Sequence, residues 1–122
     1  MTIAFWCVFV AALLPYAPFG FVKGLDPKNP RADVKNLEGL SARAHSAHLN
    51  AFEAFPPFAA AVIISHLTLG PNGWSNLLAL AFLAVRFAHM GFYLADRQPP
   101  RSAAFGLGLM IVVVMFIHAA WG

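Results

Sequence analysis

Charge is scarce in this chain. Asp, Glu, Lys and Arg make up 11% of its 122 residues, against 60% hydrophobic residues, whereas a soluble domain carries roughly 25% charge. So little polar surface cannot cover a water-soluble fold. Cysteine is scarcer still. Cys7 stands alone within an apolar run, which excludes a disulfide framework and leaves a small lipid-facing or packing residue. Basic stripes with interleaved aromatics are missing outside the apolar runs, so a pI near 9.5 does not indicate a nucleic-acid partner. The first 22 residues have no basic n-region and no clear small-x-small cleavage site, so the first run is expected to be retained as a membrane helix. Internal repeats and low-complexity tracts are also lacking.

What is present is a set of four apolar runs, each near the roughly 20 residues that cross a bilayer core. The expected spans are about 2–22, 41–67, 74–95 and 101–121, separated by a polar loop over 23–40 and two short turns. Pro15 and Pro18 should bend the end of the first span, and Pro56-Pro57 should kink or locally unwind the second. Ser41 is the expected N-cap of the second span. Gly70-Pro71-Asn72-Gly73 reads as a tight turn, and Pro99-Pro100 as a stop to the third span. Ser102 with Gly106, and Ala104 with Gly108, give two small-xxx-small pairs suited to close helix contact. The expected fold is all-α, an integral membrane four-helix bundle forming a single domain.

The eight basic residues fall on one side of such a layout. Lys23, Lys28, Arg31, Lys35 and Arg43 follow the first run, and Arg86, Arg97 and Arg101 end the third or open the fourth. The connection from Leu67 to Trp74 has no charge. By the positive-inside rule, the loops after spans one and three face the cytoplasm, and both termini face outward.

Ionisable residues inside such spans are costly and mark function by default. Ser46, Asn50 and Glu53 follow the i, i+4, i+7 spacing of one helix face, with Arg43 a turn earlier. Arg86, His89 and Tyr93 follow i, i+3, i+7 on the third span, and Arg97 extends the stripe. Glu53 is about 12 residues from the cytoplasmic end, roughly 18 Å, and Arg86 about 9 residues, roughly 14 Å. The two stripes therefore share a depth, and Glu53 and Arg86 are expected to pair. With Arg101 at the mouth, they outline a cation-rich pocket walled by Phe52, Phe55, Phe87 and Phe92.

Plainer roles fit the same residues. A Glu53–Arg86 pair also serves as glue between helices. Tyr93 suits an interfacial belt, and Arg97 and Arg101 suit topology signals. His45 and His48 read as headgroup-level flanks, and their spacing lacks the i, i+4 pairing of helical zinc motifs, so no metal is expected. His66 and His118 read as outer-side interfacial residues.

Two stretches together resemble the MAPEG family, the membrane-associated proteins of eicosanoid and glutathione metabolism. Asn50-x-x-Glu53 with its following Pro56 resembles one family motif. Arg86-x-x-His89-x-x-x-Tyr93, followed by Pro100-Arg101-Ser102, resembles the prostaglandin E synthase branch. The resemblance spans the chain and is to small bacterial members. It implies a homotrimer in a bacterial inner membrane, with cytoplasm-facing pockets between subunits that hold glutathione as cofactor. It further implies that Asn50, Glu53, Arg86 and His89 contact glutathione and that Arg101 and Tyr93 are catalytic, while Arg43, or else Lys23, is the expected stand-in for family cations that this chain lacks. Arg101, beside the N-terminus of the fourth span, would hold the thiol as thiolate. The implied activity is transfer of glutathione to lipophilic electrophiles, or reduction of lipid hydroperoxides. The chain departs from the family pattern at Ser46 and Leu49, where characterised members carry further Arg. The alternative is a non-catalytic membrane protein that binds a lipid or small anion in the same pocket.

Overall fold

The computed structural model describes residues 1–25, 27–29 and 33–122, so Arg31, one of the expected loop charges, lies outside the described residues. Among the described residues the chain is all-α. Helix α1 spans Ile3–Leu13 and continues as a 3₁₀ segment, Leu14–Phe21. A short 3₁₀ turn at Val34–Asn36 precedes α2 (Gly39–Leu69), α3 (Gly73–Leu94) and α4 (Gln98–Trp121). Four of these stretches are long and apolar enough to cross a membrane, the first counted as Ile3–Phe21.

The Thr2 hydroxyl caps α1, accepting from the Phe5 amide at 3.3 Å. The change to 3₁₀ geometry comes where proline removes donors. Pro18 has no N–H, so the Pro15 carbonyl loses its i+3 partner. His48 supplies the missing donor from α2, its Nδ1–H reaching Pro15 O at 2.6 Å. His48 is therefore a tie between the 3₁₀ segment of the first span and α2 as well as a flank.

Helix α2 remains helical through Pro56 and Pro57, so the expected unwinding does not occur. The two prolines leave the carbonyls of Phe52 and Glu53 without their i+4 donors. Ser41 is not the cap. The helix starts at Gly39, and the Ser41 hydroxyl instead accepts from Lys23 N at 3.0 Å and donates to Phe21 O at 3.4 Å. It fastens the end of the first span to the start of the second.

The turn into α3 uses Gly70 at φ +72 and Asn72 as N-cap, whose side chain accepts from Ser75 N at 2.8 Å. At the other end, Arg97 N bonds Phe92 O at 2.8 Å and Asp96 N bonds Tyr93 O at 3.2 Å. This is a Schellman closure with Asp96 at φ +59 in the position glycine usually takes. Pro99 and Pro100 do not stop α3. They lie in the first turn of α4, where a missing N–H costs nothing.

Small side chains let the helices approach. Ala4, Cys7 and Ala11 bury one face of α1, and Ala44, Ala47, Ala51, Phe58 and Ala61 one face of α2. Cys7 is thus a packing residue and not lipid-facing. Phe58 stacks on Phe82 with centroids 4.0 Å apart, at the centre of the core. Ala104 and Gly108 pack inward on α4, whereas Ser102 and Gly106 face outward. Trp6, Phe9, Leu77, Leu80 and Ile117 stand exposed around the outside, as suits helices whose solvent is hydrocarbon. The chain is an integral multi-pass membrane protein.

Candidate functional site

Arg86 is the best-buried Lys or Arg among the described residues, at 3% exposure. Its Nη2 donates to Asn50 Oδ1 at 2.7 Å, a charge-assisted bond joining α3 to α2. Glu53 is not its partner, contrary to the sequence expectation. Glu53 is exposed on the bundle surface and makes no hydrogen bond or ion pair among the described residues. The reason is rotational. Three residues along a helix turn the side chain back by about 60°. Ala47 faces the core, Asn50 falls on its flank, and Glu53 points a further step away. Residues that share a stripe need not reach the same neighbour.

His89, one turn beyond Arg86, is 2% exposed, and its Nδ1 finds no partner among the described residues. Its ring meets Tyr93 edge-on with centroids 5.7 Å apart. The Arg101 guanidinium lies over the same Tyr93 ring, with Cζ 4.2 Å from its centroid. Asn50, His89, Tyr93 and Arg101 line one cavity of about 280 Å³ together with Ser102 and Phe105. Glu53 and Arg86 line a neighbouring cavity.

Arg43 does not reach either cavity lining. Its Nε donates to Leu94 O at 3.3 Å, capping the carbonyl end of α3. Arg97 is exposed and lines a separate groove with Phe92. The expected aromatic walls are also different. Phe52 lies against Tyr16 and His48, Phe55 packs on the core, and Phe87 is exposed. Phe105 takes the wall position. The i, i+4 step from Arg101 to Phe105 was a usable signal for it, since both must share a face of α4. Ser102 was visible only as a small residue.

The helix terminus beside Arg101 offers little to an anion. Of the first three residues of α4, Pro99 and Pro100 have no N–H. The Arg101 amide is already bonded to Arg97 O at 3.1 Å. The guanidinium itself must carry any anion held there. Two guanidinium groups, an unpartnered imidazole nitrogen and a phenol thus converge on one end of the bundle.

Residues 3–121 match the MAPEG family. The chain belongs to the MAPEG family. No curated protein matches it, and no solved structure does. Across the MAPEG chain, the matched region takes in all four membrane-length helices and every residue of the cavity.

Proposed function

We propose that this MAPEG protein is a glutathione-dependent transferase or peroxidase for lipophilic electrophiles or lipid hydroperoxides. The observation that carries the reading is the cavity in which Asn50, His89, Tyr93 and Arg101 converge, in a family with many glutathione-dependent members. Those residues fit glutathione by donor set. Arg101 and the Tyr93 hydroxyl suit a thiolate, and the free Nδ1 of the buried His89 has an unmet hydrogen bond to offer. Asn50 can contact peptide amides, and the Glu53 carboxylate suits an ammonium group. Ser46 and Leu49 bring no cation for the carboxylates.

Bound glutathione supplies a sulfur nucleophile. The chain's task is then to hold that sulfur deprotonated. Arg101 lowers the thiol pKa by placing a positive charge beside it, and Tyr93 fixes where that charge sits. Arg86, fastened to Asn50, adds positive potential from a buried position.

The pocket is proposed to be completed by a neighbouring subunit in a homotrimer. Glu53 is a carboxylate on an exposed face of a membrane helix, and such groups need a partner. The distribution of basic residues supports an open end of the pocket that faces the cytoplasm. Membrane lipid and a lipophilic small molecule are the other expected partners. Titration calorimetry with glutathione in mild detergent tests the reading. Saturable binding that falls in Arg101→Ala and Glu53→Gln supports it. A correctly assembled protein with neither glutathione binding nor thiol-dependent turnover favours the alternative, a pocket for a lipid or small anion.

A further inference from the structure

On the side of the α3–α4 pair away from Glu53, a groove runs along the bundle surface. Ala104 and Gly108 belong to the buried stripe of α4. One step along a helix turns by about 100°. Phe105 and Leu109 therefore fall to one side of that stripe, and Ala103 and Leu107 to the other. The first pair lines the cavities described above, and the second lines the groove. A neighbouring subunit over the Glu53 face need not cover it.

The groove is made of two adjoining hollows, of about 590 Å³ and about 310 Å³, which share Ala88, Phe92 and Pro100. Its floor is low because Ala88, Gly91 and Ala95 recur at i, i+3, i+7 on α3. A Cβ added at Gly91 would meet no atom within 4 Å. From Ala95 to Val85 the groove follows α3 for about 10 residues, roughly 15 Å. One leaflet is half of a hydrocarbon core of about 30 Å, so the groove is one leaflet deep.

Arg97 stands exposed at the end of this groove and is the only charged residue lining it among the described residues. Its guanidinium makes no hydrogen bond or ion pair among the described residues. Asp96 is also exposed, but it lines neither hollow and does not pair with Arg97. A cation at the headgroup end of an apolar trough complements a molecule with an anionic head and an acyl tail. Guanidinium takes phosphate through paired N–H donors. A zwitterionic head would add an ammonium, and no carboxylate lines the groove to receive it. Anionic lipids are plentiful at the cytoplasmic surface, the side that the distribution of basic residues supports for this end.

We propose that this groove is a binding site for one anionic phospholipid, its phosphate on Arg97 and an acyl chain along Ala88, Gly91 and Phe92. Such a lipid bridges α3 and α4 beside the turn that sets Arg101 on Tyr93. The groove shares no lining residue with the polar pocket, so its test is independent of the thiol reading.

The test is native mass spectrometry of the full chain in mild detergent, titrated with phosphatidylglycerol or with phosphatidylcholine of the same acyl chains. One retained phosphatidylglycerol per chain is expected, with phosphatidylcholine bound about tenfold more weakly. Arg97→Gln should weaken phosphatidylglycerol by about tenfold, as for loss of a hydrogen bond to a charged group, and so erase the difference between the lipids. Ala88→Trp puts a ring across the floor common to both hollows and should weaken both lipids. Gly91→Leu fills open space on an exposed helix face and should do the same with less risk to folding. Leu80→Trp, exposed on α3 and lining neither hollow, should change nothing. Equal retention of the two lipids by the parent overturns the proposal. So does a phosphatidylglycerol affinity unchanged by Arg97→Gln, or unchanged by both groove-filling variants. A parent that retains no lipid, with an oligomer mass that changes in Ala88→Trp, would give the face to another copy of the chain and overturn it too.

Discussion

The Arg101 guanidinium rests on the face of the Tyr93 ring, 4.2 Å from its centroid. Tyr93 belongs to the last turn of α3 and Arg101 to the first turns of α4, so the contact fixes a charge across the turn between them. A cation over an aromatic face gains about 0.5–2 kcal/mol, depending on how dry it is. The ring supplies this, and the hydroxyl does not. Arg101→Ala should lower thiol-dependent turnover of a halonitrobenzene by roughly a hundredfold, the usual order for a positioned charge. Tyr93→Phe keeps the face and should retain most of the activity. Tyr93→Leu should approach the Arg101→Ala value. Severe loss in Tyr93→Phe would assign the effect to the phenol.

Asn50 and Glu53 should separate in their effects. Asn50 holds the buried Arg86 at 2.7 Å, and a hydrogen bond to a charged group contributes about 1.5–3 kcal/mol. Asn50→Ala should therefore lower the melting temperature in detergent. Glu53 has no partner among the described residues, so Glu53→Ala should leave secondary structure intact. It should instead reduce glutathione affinity and the trimer fraction, read by calorimetry and native mass spectrometry. A melting loss in Glu53→Ala as large as in Asn50→Ala, with assembly unchanged, would contradict this division.

These two residues also show what the sequence can and cannot reveal. The four helices were legible because unbroken apolar length is a local property. The stripe from Arg86 to Tyr93 was legible because spacing alone places residues on one helix face. Which neighbour a stripe meets depends on how two helices are rotated against each other, and that is set by the buried alanines of α2. Asn50 was thus expected beside Arg86, but as a companion to Glu53 and not as its replacement. Ser41 and Pro99-Pro100 failed for a related reason. A serine near a helix start reads as a cap until a distant backbone takes its hydroxyl, and a proline pair can end one helix or begin the next. Phe105 stood among many similar aromatics, and its i, i+4 step from Arg101 was the signal that could have singled it out.

The turn that carries Tyr93 to Arg101 holds Asp96 at φ +59. Left-handed backbone costs an ordinary residue about 1–2 kcal/mol, and aspartate tolerates it better than most. A carboxylate at a helix C-terminus also opposes the helix dipole. Asp96→Gly removes both penalties and should raise stability by about 0.5–1 kcal/mol. Asp96→Val should lower it by about 1–2 kcal/mol, since a β-branched residue fits left-handed backbone worst. Thermal melts of the two variants in the same detergent decide this. A stabilised valine variant would mean that Asp96 does not hold the left-handed position.

Orientation is the prediction on which the pocket's direction depends. The polar loop after the first span, the turn between α3 and α4 and the start of α4 carry Lys23, Lys28, Lys35, Arg97 and Arg101, while the turn between α2 and α3 has no charge. Basic residues near span ends are retained on the cytoplasmic side. Four spans put both termini on the opposite face. A reporter fused after Gly122 that is active only outside the cytoplasm should therefore signal, and one fused within the turn at Arg97 should not. The pocket lies at the α3–α4 turn, so its glutathione would come from the cytoplasm and its lipophilic partner from the bilayer. A cytoplasmic signal from the Gly122 fusion would invert the molecule and place the Arg101 mouth on the side away from a cytoplasmic thiol supply.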